Sequence, residues 1–80
     1  MASTSPGYGI TIRVEGPPSS QPVALATTVI AAAGATITAL DVVESLLEKV
    51  VIDITCDTID SAHADEITIA LAKNPELTVR

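Results

Sequence analysis

Cys56 is the only thiol in this chain and His63 the only imidazole. A nucleophilic cysteine needs a base or a positive neighbour to hold its thiolate. Cys56 instead continues the alternation of Ile52 and Ile54, which is the place of a small core residue; a redox role is the competing reading. His63 stands in "IDSAHADE" beside Asp60, Asp65 and Glu66. A metal site needs ligands at fixed helical spacing, and His63 with Glu66 supplies one weak pair, so an exposed histidine near a helix start is the plainer reading. Asp53 and Asp57 lie four apart on one strand face, too far to share a proton, and read as solvated surface. No activated nucleophile, acid–base pair or metal set emerges. The expectation is a domain that is not itself an enzyme, with no catalytic residues and no metal ligands.

The other chemistry-bearing stretch is "EGPPSSQP", residues 15–22. It leads into an alanine-rich helical run. A helix N-terminus offers unpaired N–H groups to an anion, and Ser19, Ser20 and Gln21 add donors. A stiff connector with a serine cap explains the same residues. Both readings stand at this point.

The elements that must position these residues follow from hydropathy patterning. Residues 9–15, "GITIRVE", alternate, with Ile10, Ile12 and Val14 on one face and Thr11, Arg13 and Glu15 on the other, as in a half-buried strand. Residues 22–33 form a helix with Leu25, Val29 and Ala32 on one stripe and Ala26, Ile30 and Ala33 beside it. Pro22 suits its first position, Ser20 or Gln21 its cap, and Gly34 its stop in the left-handed conformation. Residues 35–43 make a second strand, with Ile37 and Ala39 inward and a bulge near Asp41. "ESLLEK" reads as a hairpin turn. Residues 50–57 make a third strand with Ile52, Ile54 and Cys56 inward. "TIDS" caps a second helix, 62–73, whose stripe is Ile67, Ala70 and Leu71, and "LTVR" begins a fourth strand.

The order is βαββαβ, and an internal repeat supports it. A shift of forty residues lays Ile12 on Ile52, Val14 on Ile54, Val29 on Ile69, Gly34 on Asn74 and Ile37 on Leu77. Two interleaved halves predict an α+β, ferredoxin-like two-layer sandwich, antiparallel in the order 4-1-3-2, with both helices on one face. Residues 1–8 read as a flexible tail and 9–80 as the domain, cut from a longer chain. Arg13 and Asp53 are expected to meet on the helix-free face.

Composition narrows the function. Ten acidic against four basic residues give a net charge of −6, and no basic stripe exists to neutralise phosphates, which argues against nucleic acid. An RNA-recognition sheet needs aromatics on the outer faces of its middle strands, where this chain has Thr11, Arg13, Asp53 and Thr55. No apolar run is long enough to cross a membrane, and "MASTSPGYG" lacks the parts of a signal peptide. The expected location is the cytoplasm. An 80-residue chain buries roughly 60% of its unfolded surface, so a partner is expected to add stability.

The strings "GITIRVEG", "AAAGATITALDVVES", "EKVVIDITCDT" and "SAHADEITIAL" together resemble the amino-terminal ACT domain of bacterial NAD-dependent malic enzymes. The likeness spans residues 9–80, and "G-x-x-I-T-A-L-D-V" and "I-D-I-T-C" with "H-A-D" are its distinctive parts. The resemblance implies a non-catalytic regulatory and oligomerising domain. Oxidative decarboxylation of malate, with its NAD and divalent metal, would belong to a downstream catalytic part, and this domain itself would hold no cofactor. ACT domains usually pair side by side and bind small effectors at the interface. Gly16 matches the family's loop glycine and Glu15 stands in the place of its acidic residue, without the usual Asp-x-x-Gly spacing.

The edge position of the second strand supports pairing. It has no proline or lysine to guard it and carries Ile37, Leu40, Val42 and Val43. The expected homodimer meets through this strand and the first helix, with Ile37, Leu40, Val42, Leu46 and Leu47 at the interface. An amino acid or small carboxylate effector would then touch Gly16, Ser19, Ser20 and Gln21 of one chain and Ala35, Thr36 and Ile37 of the other. A purely structural dimerisation module without ligand is the alternative.

Overall fold

The computed structural model describes residues 7–80. The elements are β1 (Tyr8–Gly16), α1 (Gln21–Ala32), β2 (Thr36–Ser45), β3 (Val50–Thr58), α2 (Ser61–Ala72) and β4 (Thr78–Val79). The four strands form one antiparallel sheet ordered β2-β3-β1-β4. Of the expected tail, residues 1–6 lie outside the described residues. Tyr8 is not tail: it opens β1 opposite Thr58, whose hydroxyl donates to the Tyr8 carbonyl at 2.6 Å.

The alternation of β1 and β3 builds the core. Ile12, Val14, Ile52, Ile54 and Cys56 turn one way and pack with Ala26 and Ile30 of α1 and Ile67 and Leu71 of α2. Both helices therefore cover the same sheet face. Their buried stripes are narrower than the sequence suggests: Ala32 is exposed and Leu25 and Val29 are half-buried.

The helix-free face carries polar pairs across β1 and β3. The Thr11 and Thr55 hydroxyls lie 2.9 Å apart. Arg13 grips Asp53 with two hydrogen bonds, Nε to Oδ1 at 2.8 Å and Nη2 to Oδ2 at 2.9 Å. Glu15 takes Lys49 at 3.2 Å and also Arg80. Val51 also faces this side, between Glu15 and Glu44 in register, yet is only 2% exposed.

α1 ends as the glycine predicts. Gly34 has φ +85°. Its N–H donates to Ala31 O at 3.0 Å, and the Ala35 N–H donates to Ile30 O at 3.3 Å, which together close the paired-bond helix stop. The repeat partner Asn74 ends α2 differently: no non-glycine residue has positive φ among the described residues, and the Asn74 carboxamide accepts the Glu76 N–H.

β2 departs most from its sequence pattern. The strand runs to Ser45, so the turn is only Leu46–Lys49, closed by the Leu46 N–H on Lys49 O at 2.8 Å. The register breaks twice, between Ile37 and Ala39 and between Val42 and Glu44, on either side of Asp41. The first break turns Ala39 outward, opposite Thr55, and Leu40 inward, opposite Ile54. A one-residue slip moves every later side chain to the other face, which is why Ile37 packs on the core and Ala39 does not.

Candidate functional site

The loop after β1 is built around one close approach. A Cβ on Gly16 would lie 2.5 Å from Pro22 Cγ and 3.3 Å from Glu76 O, so only glycine lets the buried Pro22 ring seat there. The proline thus pins the start of α1 onto the end of β1. Ser20 is the N-cap but has helical φ and ψ, and its hydroxyl makes no capping bond. Ser19 does that work instead, its Oγ accepting the Gln21 N–H at 3.1 Å.

This arrangement leaves few donors for an anion. Gln21's N–H is taken by Ser19, Pro22 has none, and Ala24's goes to Ser20 O at 3.2 Å. Val23 alone in the first turn keeps an N–H without such a partner. Glu15 is not beside these donors: its carboxylate lies on the helix-free face, held by Lys49 and Arg80.

The seven expected effector residues fall into two groups. Gly16 pairs with Val50 at one end of β3, and Thr36 pairs with Asp57 at the other. Seven steps of strand rise separate those ends by about 23 Å. A single chain therefore does not bring Gly16, Ser19, Ser20 and Gln21 to Ala35, Thr36 and Ile37.

The expected interface residues lie together on the edge strand and its turn. Val42 is 56% exposed and Leu47 96%, and Leu40, Val43 and Leu46 are exposed beside them. Leu40 and Val42 face the helix side of the sheet but neither helix covers them. Ile37 differs: it is half-buried and packs against the core. Val43, displaced by the second register break, belongs to this exposed group.

His63 is not a free surface histidine. Its Nδ1 accepts the Ile59 N–H at 3.0 Å, so the ring proton sits on Nε2, which donates to Ala33 O at 2.6 Å. The ring ties the first turn of α2 to the last carbonyl of α1. Asp60 caps α2 through the His63 N–H at 2.8 Å. "D-x-x-H" at a helix start is a visible capping signal; the Ala33 contact is thirty residues away and leaves no local trace.

Cys56 is fully buried. Burial, and then the Asp57 carboxylate, push its thiol above the ordinary 9.0, the reverse of nucleophile activation. The Arg13 guanidinium, hydrogen-bonded to Asp53, holds that carboxyl below its ordinary 3.8. Among the described residues no group of three or more His, Cys, Asp or Glu side chains is placed to hold a metal ion, and no helix is long and apolar enough to cross a membrane.

Comparison with known proteins assigns nothing further: no family model, no curated protein and no solved structure matches the chain.

Proposed function

We propose that this chain is a ferredoxin-like, ACT-type domain that acts by pairing with a second copy of itself, with no chemistry of its own. In the reading that its sequence strings suggest, it serves as the regulatory amino-terminal part of an NAD-dependent malic enzyme in the cytoplasm. The β2-β3-β1-β4 order with both helices on one face supports the fold class. The observation that carries the pairing is the bare β2 edge with Leu40, Val42, Val43, Leu46 and Leu47 exposed in one stretch. The unpaired main-chain groups of an edge strand are a template for another strand. Two-fold pairing there would bring the Gly16–Gln21 loop of one chain toward Ala35–Ile37 of the other, which a shared effector site requires.

Sedimentation equilibrium tests the pairing. The wild type is expected to be a dimer and Val42→Lys a monomer. Val42 is the better position than Ile37, because a lysine at the half-packed Ile37 would also disturb the core. A monomeric wild type at high micromolar concentration overturns the dimer and the shared site with it. A thermal-shift panel of amino acids and dicarboxylates separates a regulatory domain from a purely structural one, since a specific ligand raises stability by RT ln(1 + [L]/Kd).

A further inference from the structure

The direction of the main-chain groups along β2 follows from its neighbours. The Arg80 N–H donates to Arg13 O at 2.8 Å, so Arg13 turns its main-chain groups away from its β3 partner Asp53. Asp53 therefore turns its own N–H and C=O toward β2. The hairpin closure agrees, because Lys49, four residues before Asp53, accepts the Leu46 N–H. Alternation along β3 then sends the groups of Val51, Asp53 and Thr55 toward β2 and those of the residues between them toward β1. Residues of β2 opposite the second set keep their N–H and C=O on the outer edge. These are Ile37 opposite Cys56, Leu40 opposite Ile54, Val42 opposite Ile52 and Ser45 opposite Val50.

The two register breaks make this set symmetric about Asp41. Leu40 and Val42 flank it directly, and Ile37 and Ser45 lie equally far beyond. A two-fold axis at Asp41 lays Leu40 on Val42 of a second copy and Ile37 on its Ser45, so each outward group meets an outward group. With the axis at Leu40 or Val42, only the residue on the axis would meet its like. The side chains agree with the same register. Leu40 and Val42 stand on the helix side, 36% and 56% exposed. Across the axis they would form one apolar cluster where neither helix of a single chain reaches.

The helix-free face opposes this pairing. Asp41 stands there opposite Asp53, and the axis sets it against Asp41 of the second copy, as a non-hydrogen-bonded pair with Cα atoms about 4.5 Å apart. Arg13, the nearby cation, is already spent on Asp53 through two hydrogen bonds. Glu44, opposite Val51 on the same face, adds further negative charge. We propose that β2 pairs with β2 of a second copy about an axis at Asp41, and that the two facing Asp41 carboxylates control how tightly. The inference rests on the pairing reading above and names its register and its regulation. Main-chain bonds and the apolar cluster hold the pair, and like charges directly opposite weaken it. Whatever screens or removes that charge strengthens the dimer.

Asp41→Cys tests the register. A cysteine on the axis faces its own counterpart, so mild oxidation is expected to join two chains by a disulfide, and adding Val42→Lys is expected to abolish it. Ala39→Cys, on the same face, would lie about 13 Å along the strand from its counterpart and is expected not to cross-link. Cys56 is buried in both variants. Sedimentation equilibrium reads the charge. Asp41→Asn is expected to lower the dimer Kd about two- to five-fold, the scale of a like-charge pair across strands. Raising the salt from about 0.05 to about 0.5 M is expected to tighten the wild type more than Asp41→Asn. A wild-type dimer in which Asp41→Cys closes no better than Ala39→Cys overturns the register and leaves the pairing intact. An unchanged Kd in Asp41→Asn overturns the charge control. Wild type and Asp41→Asn both monomeric at high micromolar concentration overturn the pairing itself.

Discussion

His63 joins the two helices through one ring whose tautomer is set by its neighbours. Removing the ring leaves Ala33 O and the Ile59 N–H without their partners. His63→Ala is expected to destabilise the fold by about 0.5–1.5 kcal/mol, the net worth of a hydrogen bond at a site that water partly reaches. A urea titration with an unchanged midpoint would show that water replaces the ring at no cost. Asp53 makes a different statement, about acid. Its folded-state pKa lies below the ordinary carboxyl value, so its contribution is present above that value and is lost as the pH falls through the lower, folded one. Stability measured from pH 5 downward is therefore expected to fall less steeply in Asp53→Asn than in the wild type. Identical slopes would mean that the Arg13 pair, exposed as it is, contributes nothing measurable.

At the scale of elements, α1 is held at both ends by glycines doing different jobs. Gly16 admits the Pro22 ring, and Gly34 supplies the one positive φ among the described residues. A Cβ at Gly34 would meet nothing nearer than His63 Nε2 at 3.9 Å, so the cost of substitution there is conformational rather than steric. Gly34→Val is expected to lose about 1 kcal/mol or more, and Gly34→Asn less, because asparagine tolerates the left-handed region and a β-branched residue does not. Equal midpoints for the two variants in urea would place the strain elsewhere. β2 shows how an element escapes its own pattern. Two register breaks in ten residues bend its alternation, so that Ala39 faces solvent and Val43 joins the exposed apolar stretch.

For the whole molecule, the pairing proposed for the β2 edge has a thermodynamic signature. A dimer gains stability by mass action, so the melting temperature of the wild type is expected to rise with protein concentration while that of Val42→Lys stays fixed. A wild-type melting temperature independent of concentration would sink the pairing. The chain's own chemistry determined much of this architecture. Strict alternation in "GITIRVE" and "VIDITCD" set which faces of β1 and β3 are buried, because strand geometry has a period of two and water excludes only one face. The same alternation put Arg13 and Asp53 together outside, and Gly34 marked the helix stop because other residues pay a steric penalty there. Tertiary structure decided the rest. The β2 breaks depend on how β3 and the helices seat it, since an edge strand is held on one side only. His63 found its partner thirty residues away, which no local pattern encodes. The Pro22 ring closed over Gly16, turning a loop rich in hydroxyls into a clamp whose donors are mostly spent.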